Sequence, residues 1–249
     1  GRNTEPAIGF CGGRMYKKVM HPIIAKIGPF TIYSYGMMVA IAFLFGIFIA
    51  KLEAIRKNIK PDIMYDFSFY LIVGSIIGAR IYYIFFFDLK GFLNDPASIF
   101  KVWQGGLSIH GGILGGVVTG LIFSKIRKIS FWKLADLISP SIILGQAIGR
   151  IGCFLNGCCF GIKNHPTQIY EFILDFIGFL LLWNLRKKVT FEGGLFLLYL
   201  MMYSVIRIIV TQFRADNLYL WDTGLTLADL TSTIIFITGM ALFIKKKHD

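Results

Sequence analysis

Residues 149–161 read GRIGCFLNGCCFG. The stretch closes an apolar run, holds one arginine, three cysteines and an asparagine, and is punctuated by Gly149, Gly152, Gly157 and Gly161. An arginine at the end of an apolar segment, on backbone that glycine lets bend, is how a chain inside a bilayer builds a polar pocket. That reading needs a membrane around it, a side for the pocket to face and a ligand to enter it.

The composition supplies the membrane. Of 249 residues, 55% are hydrophobic and only 16% charged, and the mean hydropathy is +0.66. A soluble chain of this size carries about a quarter charged residues. The chain therefore reads as an integral membrane protein rather than a large soluble core. Its net charge of +12 is assigned to cytoplasmic loops, so no nucleic-acid partner is expected. Cys11 and the three cysteines of the opening stretch do not form a secreted disulfide framework. Residues 1–26 are read as an N-terminal tail, with 1–14 set apart as non-native and Met15 or Met20 as the start. Residues 27–249 are read as one seven-span domain.

The expected fold is all-α and polytopic. Seven apolar runs can be drawn, at about 30–50, 63–87, 107–123, 134–148, 169–185, 194–213 and 227–244, each near the ~20 residues a bilayer core requires. Pro140 is expected to interrupt the fourth, and Asp136 sits near its start. Basic residues crowd the connections 51–61, 124–133 and 186–192 and the tail (Lys245, Lys246, Lys247), whereas 88–106, 151–165 and 214–226 hold only Lys90, Lys101, Lys163 and Arg214. The positive-inside rule then puts the N-terminus outside and the C-terminus in the cytoplasm. Lys17, Lys18 and Lys26 oppose that assignment, but the loops agree with one another. Glycines at four-residue spacing, Gly74/Gly78, Gly112/Gly116/Gly120 and Gly145/Gly149, are read as helix-packing positions. The connection 88–106, with Trp103, is expected to hold an amphipathic interfacial segment.

On this map Arg80, His110, Arg150, Glu171 and Arg207 fall in the outer half of the bilayer, with Tyr35 near the outer start of the first span. Three arginines exceed one carboxylate. The planar guanidinium fork matches phosphate, and an anion such as a phospholipid headgroup would balance the charge. Each residue also has a structural reading. Arg80 could cap a helix C-terminus or pair with Glu171, His110 could be a packing histidine, and Tyr35 an interfacial aromatic. Cys153, Cys158 and Cys159 lack a CxxC pair and a second cluster, so they are read as helix-packing cysteines ahead of a zinc site with the nearby His165 or a strained Cys158–Cys159 disulfide, and no metal or cofactor is expected.

Several motifs stand in a fixed order: SYG at 34–36, ARIYYIFF at 79–86, WQGGLSIHGGILGG at 103–116, GRIGCFLNGCCFG, HPTQIYE at 165–171 and YSVIRIIVTQFR at 203–214. In that order they resemble the phosphatidylglycerol–prolipoprotein diacylglyceryl transferases of bacterial inner membranes, over nearly all the chain after about Ile27. The resemblance implies an enzyme of lipoprotein biosynthesis, a multi-pass protein of the cell inner membrane with its site at the outer leaflet. It would move the diacylglyceryl group of phosphatidylglycerol onto the lipobox cysteine thiol of a prolipoprotein, forming a thioether and releasing glycerol phosphate. Arg150 and Arg207 would stabilise the phosphate. His110 would be the base or orienter of the thiol, or a headgroup contact. Tyr35, Arg80, Gly111, Asn156, Gly161, Glu171 and Tyr203 complete the expected binding set.

Three departures from the family pattern stand out. Cys153 and Cys158 replace the first Asn and the Glu of a common GNFxNxE continuation. Thr211 stands where many members carry a glutamate, and only residues 162–164 separate Gly161 from His165, where many members carry a long outer insertion. Two rivals to the transferase reading are a relative lipidating another outer-face acceptor and a non-enzymatic lipid or anion transporter. A transporter site usually lies at the midplane with an internal repeat, and neither is evident.

Overall fold

The computed structural model describes residues 21–27, 30–102, 105–162, 165–215, 217–220 and 225–248. Residues 1–20, Trp103 and Lys163 lie outside them. A hairpin of β1 (Ile23–Ile27) and β2 (Phe30–Tyr33) comes first, followed by α1 (Ser34–Arg56) and α2 (Asp62–Phe87). Then come a short α3 (Leu89–Asn94), a 3-10 turn (Pro96–Phe100), α4 (Ile109–Arg127) and α5 (Phe131–Asn156). The chain continues with α6 (Thr167–Leu185), α7 (Gly194–Thr211) and α8 (Leu227–His248). Seven of these helices are long and apolar enough to cross a membrane, as the apolar runs predict. Their outer faces are apolar: Phe45, Phe69, Phe85, Ile126 and Ile237 are all exposed. A soluble protein would bury such side chains; lipid accepts them.

The boundaries differ in instructive places. The first span starts at Ser34 rather than near Phe30, because residues 30–33 pair as a strand with Ile23–Ile27. IIAKI and FTIY are rich in β-branched and aromatic residues and flank a Gly-Pro pair in sequence, which suits a hairpin better than a helix. The connection 88–106 carries two short helical turns. The fourth span is not interrupted: α5 continues through Pro140 to Asn156. Inside a bundle, neighbouring groups can compensate for the missing proline N–H. Beside it, the Ser141 hydroxyl donates to Gly46 O at 2.7 Å. Arg150 therefore sits within the final turns of a long helix rather than closing it.

The described residues gather into two compact units. One comprises Ile47–Ile138. Its core holds Met64, Phe67, Phe123, Leu134 and Leu137. At the basic-loop end, Arg56 pairs with the fully buried Glu53 at 2.8 Å, Lys57 with Asp136 at 3.2 Å, and Arg127 with Asp66. In this unit α2 packs along α4, and glycine sets the separation. A methyl added at Gly78 would lie 2.5 Å from Gly111 O and 2.7 Å from Gly115 Cα, and one at Gly115 would lie 2.3 Å from Gly74 O. The tight positions on α4 are thus Gly111 and Gly115, one residue earlier than the Gly112/Gly116/Gly120 series. A methyl on Gly112 would keep 3.7 Å from its nearest neighbour.

The other unit comprises the described residues up to Gly46 and those from Ser139 onward. Ile143, Leu182, Leu195, Tyr199, Ile206 and Val210 form its core, with α7 packed on both α6 and α8. A reciprocal cap starts α8. The Thr226 hydroxyl donates to Asp229 Oδ2 at 2.8 Å, and Asp229 N–H donates to Thr226 Oγ1 at 3.0 Å. Gly145 and Gly149 do not pack a helix here, since a methyl on either meets nothing within 4 Å.

Gly78→Ala is expected to destabilise the protein by about 1–3 kcal/mol, because backbone must shift to admit the methyl. Gly145→Ala should be neutral or gain up to about 1 kcal/mol of helix propensity. Thermal unfolding of both variants in one detergent tests the pair; equal melting temperatures would remove the close-packing assignment.

Candidate active site

In the unit containing α5, α6 and α7, three arginines converge on one carboxylate. Arg150 Nε lies 2.7 Å from Glu171 Oε2, and its Nη2–H donates to Oε1 at 3.0 Å. Arg207 Nη1–H donates to Oε1 at 3.1 Å, and Arg214 Nη1–H to Oε2 at 3.5 Å. The Glu171 side chain is 4% exposed and that of Arg214 8%, while Arg150 and Arg207 keep 21% and 23%. Asp175, one turn further along α6, is buried, and its Oδ1 has no partner among the described residues. Even with Asp175 counted as an anion, guanidiniums outnumber carboxylates. Arg150 meets Glu171 through Nε and Nη2, and Arg207 through Nη1, so each keeps N–H groups for a ligand.

Local structure explains how the third cation-bearing segment joins. Arg214 follows the end of α7 and bridges in antiparallel fashion to Gly161. Ile162 N–H donates to Phe213 O at 2.9 Å, and Asn217 Nδ2 donates to Thr211 O at 2.7 Å and Arg214 O at 3.2 Å. A methyl on Gly161 would lie 2.4 Å from Phe213 O and 2.6 Å from Thr167 Cγ2. Gly161, one of the expected binding set, thus lies close against its own chain, and that approach brings Arg214 inward. Thr211 donates its hydroxyl to Arg207 O at 2.7 Å.

The Tyr35 ring packs on Gly152, where a methyl would lie 3.2 Å from Tyr35 Cδ2, within electrostatic reach of Arg150. Asn156, the last residue of α5, is in hydrogen-bond reach of the Cys158 thiol. Tyr203 stacks on Tyr199 with centroids 6.1 Å apart, one turn before Arg207. The three thiols read as packing residues converge: their sulfurs all lie within 4.8 Å of one another. Hydrogen bonds from Cys153 and Cys158, with Arg214 and Arg150 nearby, pull the Cys159 thiol below the ordinary thiol range against the opposing effect of burial. α6 and α7 also frame an apolar groove of about 390 Å³ lined by His165, Tyr170, Ile173, Leu174, Ile209, Val210 and Phe213.

Arg80, His110 and Gly111 belong to the Ile47–Ile138 unit. The two Arg80 Nη groups donate to carbonyls, Nη1–H to Gly105 O at 2.8 Å and Gly106 O at 3.0 Å and Nη2–H to Ser98 O at 2.5 Å, while its Nε is buried with no partner among the described residues. Gly106 has φ +72°, and a methyl there would lie 2.4 Å from Arg80 Nη1. Arg80 thus ties down the segment that leads into HGG, where Ser108 N–H donates to Ala79 O at 3.1 Å. His110, in the first turn of α4, is exposed, with its ring 6.2 Å from that of Tyr82. Gly111 is a contact with α2.

The family model for prolipoprotein diacylglyceryl transferase matches residues 22–245. The chain belongs to the prolipoprotein diacylglyceryl transferase family. It is 37% identical over 260 residues to a protein of Trichormus variabilis named phosphatidylglycerol–prolipoprotein diacylglyceryl transferase, covering 91% of each chain. Proteins of the same name from Bacillus velezensis (36% over 253 residues, 92% of this chain and 93% of the relative) and Oceanobacillus iheyensis (35% over 253 residues, 90% and 88%) are also similar.

In this diacylglyceryl transferase family member, the structure brings Arg150, Glu171 and Arg207 together, with Asn156 and Tyr203 on the same helices and Tyr35 of α1 packed against Gly152 of α5. The third arginine at the carboxylate is Arg214, not Arg80. Arg214 counts in sequence as a loop charge, yet it stands seven residues after Arg207, a two-turn spacing that was the available signal. Asp175, at i+4 from Glu171, offered the same signal.

Proposed function

We propose that the Arg150–Arg207–Arg214 cluster binds the phosphate of phosphatidylglycerol, and that the chain transfers the lipid's diacylglyceryl group to the lipobox cysteine sulfur of a prolipoprotein. The site would face the outer leaflet of a bacterial inner membrane, with the N-terminus outside and the C-terminus in the cytoplasm. One observation carries the reading: three guanidiniums share a single buried carboxylate, and the two partly exposed ones keep donors unspent.

The chemistry fits that charge. An acceptor thiolate attacks the glycerol carbon that bears the phosphate, the carbon–oxygen bond breaks, and the electron pair leaves on phosphate oxygen. Negative charge stays on that leaving group, so fixed cations around it lower the barrier. Guanidinium forks hold phosphate in a fixed orientation. Glu171 keeps the arginines in place between turnovers. Tyr35 and Asn156 offer hydrogen bonds to the headgroup, and Tyr203 supports Arg207 from the preceding turn. Arg80 fixes the approach to His110, which orients the thiol or takes its proton, and Gly111 lets that helix start lie close to α2. Gly161 seats Arg214. The groove beside α6 and α7 suits an acyl chain.

Purified protein in vesicles, given phosphatidylglycerol and a lipobox peptide, should add one diacylglyceryl group to the peptide cysteine, read by mass, and release glycerol phosphate. Vesicles that move lipid between leaflets without any change in peptide mass would sink the enzyme reading.

A further inference from the structure

The three cysteines are the feature that this function leaves unused. Cys153 lies in the last turn of α5, and Cys158 and Cys159 follow Gly157. Two independent observations lift them above packing residues. Their sulfurs are mutually within 4.8 Å, whereas the edge of a tetrahedron with zinc–sulfur bonds of about 2.3 Å is roughly 3.8 Å. The loop is also held in a costly shape. Cys159 has φ +64°, left-handed backbone for a residue with a Cβ, two residues after Gly157 at +75°. Side chains from the start of α6 clamp it there: the Thr167 hydroxyl donates to Cys159 O at 2.7 Å, and Gln168 Nε2 donates to Cys158 O at 2.6 Å. Thr167 and Gln168 are fully buried.

From this geometry we propose that Cys153, Cys158 and Cys159 bind one Zn2+ as thiolates, and that its open fourth position takes the sulfur of the acceptor cysteine. The role in the reaction rests on the transferase reading; the metal site does not. An all-sulfur set excludes hard cations such as Mg2+ and Ca2+. Three thiolates and one Zn2+ leave a single negative charge, and Arg150 and Arg214 stand in electrostatic contact with Cys159. Among the described residues no fourth protein ligand joins the cluster. Three protein ligands with one open position is the arrangement of catalytic rather than structural zinc.

The step balances without an oxidant. The acceptor thiol binds the ion and loses its proton to water, because a coordinated thiol is deprotonated. Its sulfur forms a bond to the glycerol carbon while the carbon–oxygen bond breaks and glycerol phosphate leaves with the electron pair. The neutral thioether, a weak ligand, then dissociates. Arg150 neighbours both the sulfurs and Glu171, so nucleophile and phosphate meet at one residue.

The test uses the full chain in detergent. Metal analysis should find about one zinc per chain, and Co2+ replacement should give a thiolate-to-cobalt charge-transfer band. Cys153→Ser/Cys158→Ser should lower metal content at least tenfold. Cys153→Asn/Cys158→Glu, carrying the residues common in the family at these positions, serves as a second variant if the first fails to fold, and should lose the cobalt band as well. Chelation should lower transfer at least tenfold, with phosphatidylglycerol binding retained and activity restored by Zn2+. Free or disulfide-bonded thiols without metal, or copper in place of zinc, would overturn the site. Bound zinc whose removal leaves transfer unchanged would overturn its role with the acceptor. Bound zinc in a protein that never transfers lipid would leave the site standing and defeat the transferase reading instead.

Discussion

Arg150→Ala is expected to lower diacylglyceryl transfer by about 10²–10³-fold, the usual cost of losing one preorganised charge-stabilising donor. Arg150 makes the closest contacts of the cluster, 2.7 and 3.0 Å to Glu171, and keeps 21% of its side chain open. It lies beside both Glu171 and the thiols. The fold should survive, because Arg207 and Arg214 still accompany Glu171. Arg150→Lys should recover little activity, since an ammonium cannot reproduce the two-point fork. The peptide-mass assay at saturating lipid measures the rate, and size-exclusion chromatography checks the fold. A well-folded Arg150→Ala protein with near-normal transfer would remove the central assignment.

Glu171→Gln should act mainly on stability. Three guanidiniums would lose the carboxylate they share, and breaking a buried ionic group typically costs about 3–5 kcal/mol. The lower part of that range is expected, because Arg150 and Arg207 reach solvent. An anion that occupies the vacated charge should reverse part of the loss. Phosphatidylglycerol or glycerol phosphate should therefore raise the melting temperature of Glu171→Gln more than that of the parent protein. A variant that melts like the parent, with or without these anions, would show that Glu171 does not hold the arginines together.

Much of this site was legible because its residues break a strong background rule. An arginine or glutamate in an apolar run is conspicuous, so Arg150, Glu171 and Arg207 stood out before any contact was known. Arg214 did not, because it lies in a polar connection where a basic residue needs no explanation. Only the bridge between Gly161 and Arg214 turns it inward. The glycine spacing was legible as a packing signal, but not its register. Gly111/Gly115 and Gly112/Gly116 have the same period, and the rotation of α4 against α2 decides between them. Pro140 misled for a related reason: its cost to a helix is local, while its compensation comes from neighbours.

By itself, the sequence determined seven membrane-length helices, since hydrophobic run length against bilayer thickness is a one-dimensional quantity. It also determined the chemical bias of the site, because an excess of intramembrane arginine asks for an anion wherever the helices lie. The tertiary structure alone decided which three arginines share Glu171 and which glycines admit a neighbouring backbone. It also decided that the sulfurs of GRIGCFLNGCCFG meet. Those facts depend on helix rotation and on two left-handed residues, Gly157 and Cys159, in one short turn. Neither is written in hydropathy or charge.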